Sequence, residues 1–164
     1  MLNGFLRTTL FCSSAERSLA LYRDILGFAV VEDKTISGPA AGALLNLGEC
    51  RLRMIMLAPS PKAAPVIGLF EISDAAIPSL AFQARCIAHG QAAIVISTDD
   101  FAALYRRLMD HGVIFLTPPA DYVKRQSSAH APAGIYREMI FRDPDGVLVS
   151  VIEIRPLAET EKTG

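Results

Sequence analysis

Few residues in this chain have both the type and the setting for chemistry. Glu138 is one. The run Tyr136, Glu138, Ile140, Arg142 alternates as a strand does, so these four side chains share one face. A carboxylate on such a face, tuned by burial and neighbouring charge, is the general-base candidate, with Tyr136 beside it. The competing reading of Glu138 is a salt-bridge partner on the sheet rim. Tyr122, Lys124, Arg125 and His130 lie in a polar stretch before that strand, placed either to close over a ligand or to sit in solvent. The three histidines, His89, His111 and His130, lack the i, i+4 pairing of a helix-borne metal site. Cys12, Cys50 and Cys86 show no basic neighbour pattern that argues for a lowered thiol pKa, and packing is their default role. Asp143 and Asp145, in Asp143-Pro144-Asp145-Gly146, have too few further oxygen ligands for a calcium loop and read as a turn.

The elements that must position these residues occur twice. Ser13 to Gly27 and Ser97 to Gly112 share a cap, an apolar stripe and a glycine stop. Leu21-Tyr22-Arg23 recurs as Leu104-Tyr105-Arg106, about half the 164-residue chain further on. The capping boxes are Ser13 with Glu16 and Ser97 with Asp100. Tyr22 and Tyr105 fall on the buried stripes, where packing outweighs catalysis.

The first helix is preceded by a strand, Gly4–Cys12. It is followed by a strand at Phe28–Val31, a turn over Thr35–Gly42, and a hairpin of Ala43–Leu47 with Arg51–Leu57. The second helix is preceded by Gln91–Ser97 and followed by Val113–Leu116, a loop over Thr117–Gly134, and a hairpin of Tyr136–Arg142 with Val147–Ile154. The fold class is therefore α+β, with βαβββ modules over 1–57 and 91–156 and a tail over 157–164. Between the modules, 58–90 begins with prolines at 59, 61 and 65, then turns apolar, with a strand at Val66–Ile72 and a strand or short helix at Leu80–Ala88. It reads as an arm that packs on the other half or on a partner subunit.

The chain is 51% hydrophobic, enough for a sizeable core. Its net charge of −1 disfavours a nucleic-acid partner. There is no signal-peptide pattern and no apolar run long enough for a bilayer. With an odd number of unpaired cysteines, a cytoplasmic location is expected.

The phrases Arg17-Ser18-Leu19-Ala20-Leu21-Tyr22-Arg23-Asp24-Ile25-Leu26-Gly27-Phe28 and Phe141-Arg142-Asp143-Pro144-Asp145-Gly146, on two βαβββ modules, resemble the vicinal oxygen chelate superfamily. This is the group of glyoxalases, bleomycin-resistance proteins and extradiol dioxygenases. The resemblance implies sheets curled into a half-barrel cavity, and in the enzymes a divalent metal held by two side chains from each module. Carried onto this chain, the four metal positions become Arg7, Arg53, Gln91 and Ser150, with Arg53 the position most exposed to a register slip that would present Met54 instead. Two permanently charged guanidinium groups repel a divalent ion, and Gln91 and Ser150 are weak ligands. No cofactor is expected.

The resulting expectation is a metal-free binder of a small anionic or partly aromatic molecule. Arg7 and Arg53 would grip an anion, and Gln91, Ser150 and Tyr136 would complete the site. The alternatives are a metal-dependent lyase or dioxygenase resembling glyoxalase I or an extradiol dioxygenase, and a metal-free lyase or isomerase using Glu138 or Tyr136. A homodimer is expected, with the arm as its surface.

Overall fold

The two helices expected from the sequence each begin on a polar cap, displaced from the serine that the sequence points to. In a computed structural model, which describes Met1 and residues 3–80 and 86–157, Ser14 caps the first helix by accepting from the Arg17 N–H at 3.4 Å. Asp100 caps the second by accepting from the Ala103 N–H at 3.0 Å. A glutamate from the last strand of each module completes each start. Glu71 Oε1 accepts from the Ala15 N–H at 3.1 Å, and Glu153 Oε1 from the Phe101 N–H at 3.3 Å. A carboxylate there satisfies a helix amide that has no intrahelical partner and opposes the helix dipole.

The chain divides into two compact units, Met1–Ala81 and Phe82–Gly164. The first runs β1 (Thr8–Cys12), α1 (Ala15–Leu19, continued by π-helical turns over Ala20–Ile25), β2 (Ala29–Gly38), α2 (Pro39–Ala43), β3 (Cys50–Ala58) and β4 (Ile67–Ser73). Its sheet has the order β1-β4-β3-β2, with β1 and β4 parallel and the other pairs antiparallel. The second runs β5 (Ala93–Ser97), α3 (Phe101–Asp110), β6 (Phe115–Lys124), β7 (Gly134–Arg142) and β8 (Leu148–Arg155), in the order β5-β8-β7-β6 with the same parallel and antiparallel pattern. Each unit is a βαβββ module, and the α+β class holds.

Several elements differ from the sequence reading. The turn expected over Thr35–Gly42 is instead the end of β2 followed by α2. Pro39 stands at the first helical position, where its missing N–H costs nothing. The strand expected at Ala43–Leu47 does not form, and the chain turns through Asn46 at φ 54. The strand expected at Val66–Ile72 exists as β4. It lies within the stretch read as an arm, yet it is hydrogen-bonded between β1 and β3, so the first module runs on to Ser73. The first part of the loop expected over Thr117–Gly134, as far as Lys124, belongs to β6. Pro118 and Pro119 are tolerated there because β6 is an edge strand with register shifts around them. The Leu80–Ala88 element falls partly, and the 157–164 tail almost wholly, outside the described residues.

The helix-side core of the first unit holds Leu10, Leu19, Tyr22, Ile55, Leu57, Ile67 and Leu69, all buried. That of the second holds Phe101, Leu108, Met139, Phe141, Val149 and Val151. Full burial of each large apolar side chain contributes about 1.5–3 kcal/mol. No helix is long and apolar enough to cross a membrane among the described residues.

Candidate functional site

The strand registers assign every side chain to the helix-covered face of its sheet or to the opposite, open face. In the second unit, Tyr136, Glu138, Ile140 and Arg142 of β7 pair with Ile154, Ile152, Ser150 and Leu148 of β8, and Val95 of β5 pairs with Ser150. Glu153 of β8 reaches the helix, so its alternating neighbours Ser150, Ile152 and Ile154 stand on the open face. The alternation read from sequence is thus the observed one.

Glu138 is half-buried at the centre of this face. Ser150, buried at 3% exposure, donates from its Oγ to Glu138 Oε1 at 2.5 Å. The Tyr122 hydroxyl is also hydrogen-bonded to the Glu138 carboxylate. Burial chiefly, and then the Glu138 charge, raise the Tyr122 pKa and hold the phenol protonated. Tyr122 stacks on Tyr136, its cross-strand partner, with ring centroids 5.2 Å apart and 20° between planes. Tyr136 is buried, and its hydroxyl donates to Pro132 O at 2.8 Å. Lys124 ties down the β6–β7 loop through Ser128 Oγ and Ala131 O, each at 2.9 Å. Arg142 donates to Gly146 O and Cys86 O. Arg125 and His130 stand exposed between β6 and β7.

Sequence reasoning placed Tyr122 in a loop and missed its place beside Glu138. The adjacent prolines look like a strand break, and nothing local signals that β6 continues past them.

The first unit separates the two arginines expected to act together. Arg53 of β3 pairs with Glu71 of β4, the glutamate that reaches α1, so Arg53 is on the helix-covered face. Its Nη1 donates to Glu16 Oε1 of α1 at 2.8 Å. Its Nε and Nη2 form a fork on Asp33 of β2 at 3.0 and 2.8 Å. The fork holds the Asp33 carboxyl below its ordinary pKa and pushes the Arg53 guanidinium further up. The second unit repeats the device: Arg137 of β7 lies over the Phe101 ring at 5.3 Å and pairs with Asp121 of β6. Arg53 is therefore a strut between helix and sheet, and Met54 is the residue that faces the open side.

Arg7 does lie on the open face. It precedes β1, and its guanidinium sits over the Phe70 ring at 5.7 Å. A Cβ added at Gly68 would meet Arg7 Nε at 3.2 Å and Arg7 Cδ at 3.3 Å, so the arginine stem occupies the space a side chain at 68 would fill. Arg7 Nε is buried without a hydrogen-bond partner.

The internal symmetry corrects the expected metal positions. Glu71 and Glu153 perform the same task, and stepping back along both ladders makes Ser150 the counterpart of Gly68. Val95, opposite Ser150, then matches Thr9, and Ala93 matches Arg7. Gln91 precedes β5, where its Oε1 accepts from the Ala88 N–H at 2.9 Å. The four equivalent positions are thus Arg7, Gly68, Ala93 and Ser150. They offer a guanidinium, a hydrogen, a methyl and a hydroxyl. This donor set does not fit a divalent cation. His89, His111 and His130 are each exposed, and no group of three or more His, Cys, Asp or Glu able to hold a metal exists among the described residues.

Known structures share this architecture. A glyoxalase family protein from Bacillus cereus superposes with a TM-score of 0.74 at 18% identity, covering 94% of this chain and 96% of its own. Glyoxalase I of Leishmania major, described as trypanothione-dependent, gives 0.59 at 16% identity, with 93% and 87% covered. The fosfomycin resistance protein FosX of Listeria monocytogenes, in complex with Mn(II) and sulfate, gives 0.53 at 15% identity, with 100% of both chains covered. At these identities the likeness is one of fold. No curated protein matches the sequence. The family model for the Glyoxalase/Bleomycin resistance protein/Dioxygenase superfamily matches residues 4–151, and with paired βαβββ modules on the page as well, the chain belongs to that superfamily.

Proposed function

We propose that this protein binds a small anionic molecule through Arg7, without the divalent metal that the superfamily's enzymes employ. The observation that carries this reading is the state of Arg7. A cation held on the open face of the first sheet, propped on Phe70 and Gly68, has a buried Nε–H with no acceptor. An unsatisfied buried donor costs about 1–3 kcal/mol, more for a charged group. A ligand carboxylate or phosphate returns that energy, and arginine meets such groups as a fork.

Arg53 leaves the proposed site, because it stands on the helix-covered face, where it pairs with Glu16 and Asp33. Gln91 leaves it as well, since its side chain closes a turn. The metal-dependent lyase or dioxygenase reading loses support because the four positions carry no imidazole or carboxylate. A homodimer and a reducing, cytoplasmic setting complete the proposal. Cys12, Cys50 and Cys86, none of them in a disulfide, suit that setting. In the stretch of chain that follows β4 and precedes β5, Ile77, Leu80 and Ile87 are exposed apolar residues available to a second copy. Light scattering at micromolar concentration checks the dimer, and a single monomeric species removes it.

The test of the binding reading has two arms. The purified protein is incubated with nickel, zinc, manganese and iron(II), dialysed and analysed for metal; no stoichiometric metal is expected. A thermal-shift screen of small carboxylates and inorganic phosphate follows, on wild type, Arg7→Lys and Arg7→Ala. At least one anion should raise the wild-type Tm, with a weaker effect in Arg7→Lys and none in Arg7→Ala. Retained metal, or an anion effect indifferent to Arg7, overturns the reading.

A further inference from the structure

The open face of the second sheet has the opposite chemistry, and it goes beyond the anion reading. We infer that Glu138, with the stacked pair Tyr122 and Tyr136, forms a recognition element that takes an organic cation, an ammonium or amidinium group on a small molecule.

Glu138 accepts hydrogen bonds from Ser150 and Tyr122, both neutral hydroxyl donors. A carboxylate offers about four lone-pair sites, so acceptor capacity remains. No cation pairs with Glu138 among the described residues. The two basic side chains on the same face are committed elsewhere: Lys124 donates to Ser128 Oγ and Ala131 O, and Arg142 to Gly146 O and Cys86 O. Neither Lys124 nor Arg142 forms an ion pair with Glu138, so its charge is not neutralised by direct contact among the described residues. A half-buried carboxylate in this condition attracts an external positive group.

The surroundings suit a cation with an apolar body. Tyr136 is buried and oriented by its bond to Pro132 O, and it backs the Tyr122 ring. Tyr122 itself is 47% exposed, leaving ring surface for a cation. Ala120, the cross-strand partner of Glu138, ends at its methyl and leaves the carboxylate unshielded on that side. Val95, on the same face, is 61% exposed and offers apolar contact. Ser150 acts here as a positioning residue, because it holds one carboxylate oxygen and need not touch the ligand.

The probes are choline and benzamidine, titrated into the full chain at constant ionic strength and followed by amide NMR shifts. The uncharged carbon isostere of choline serves as control. The expected result is saturable movement of amides around Ala120, Tyr122, Tyr136 and Glu138 with at least one cation and none with the isostere. Glu138→Gln, which preserves size, should weaken binding by about tenfold or more. Tyr122→Phe should retain most of it, because the ring remains, while Tyr122→Leu should weaken it severalfold. The dispersed amide spectrum of each variant confirms folding. Equal binding by the isostere, equal binding by Glu138→Gln, or no saturable movement overturns the inference. Its failure is separable from that of the anion reading, which rests on Arg7, a different unit and different probes.

Discussion

The two modules share one architecture and treat their open faces differently. In the first, the segment between β2 and β3 folds back over the sheet. Ala41, Leu45 and Leu47 pack with Leu52, Met54, Phe70 and Ile72, leaving Arg7 at one edge as the charged group we assign to ligand binding. In the second, the corresponding β6–β7 connection closes on itself through Lys124, Ser127 and Ser128. The open face keeps Glu138, Ser150 and the tyrosine pair. The helix-covered faces, by contrast, stay alike, down to the glutamate at each helix start and the arginine–aspartate strut. A duplicated module can vary its open face freely because that face does not hold helix to sheet.

This contrast can be broken experimentally. The largest effect is expected from Leu52→Ala. Leu52 is 1% exposed beneath the first-unit plug, and its truncation should cost about 3 kcal/mol in urea unfolding. Val95→Ala on the second open face should fall within about 0.5 kcal/mol. Similar costs at both positions would mean that the second face is also plugged.

Next is Gly42→Ala. An added Cβ would collide with the Gly48 carbonyl, so the plug must shift, at about 2 kcal/mol. Loss of protection at the amides of residues 41–47 in hydrogen exchange, with the α1 amides unchanged, would localise the damage to the plug.

Arg53→Ala tests the shared face. Removing a partly exposed fork should cost about 1 kcal/mol and leave anion binding unchanged. A loss of anion affinity without a loss of stability would return Arg53 to the site.

The smallest effect concerns acid. Because the Asp33 carboxyl is lowered in the folded state by Arg53, its contribution is fully present above the ordinary aspartate value near about 4. It is lost as pH falls through the lowered folded value. Asp33→Asn should flatten the acid limb of the stability curve slightly and leave stability between neutral pH and pH 9 without slope from this pair.

Much of this molecule is legible along the chain, because its signals are local. Strand alternation puts Tyr136, Glu138, Ile140 and Arg142 on one face whatever they pack against. The two capped, striped helices announce the duplication, and the observed caps lie within three residues of the expected ones. The two open faces are less legible. Arg53 was assigned to the cavity because β3 was taken as the last strand of its module. The true last strand, β4, is identified only by its parallel pairing with β1, a contact between residues far apart in sequence. Gly68 announces nothing, since a missing side chain has no pattern, and its significance arises only from the Arg7 stem lying over it. Gln91 was misplaced because the count runs back from Ser97, three residues before the observed cap Asp100, whereas Ser13 stands only one residue before the observed cap Ser14; counted from the true helix starts, the position is Ala93.

The sequence by itself determined the class of fold, the paired modules and the side of β7 on which Glu138 stands. It could do so because hydrophobic period, capping and turn chemistry act over a few residues. Only the tertiary structure decided that Arg7 and Arg53 lie on opposite faces of one sheet, that Tyr122 joins Glu138, and that one open face is filled by its β2–β3 segment while the other keeps Glu138 and the tyrosine pair. Each of these depends on which strand pairs with which and in what register, and a slip of one residue exchanges the two faces.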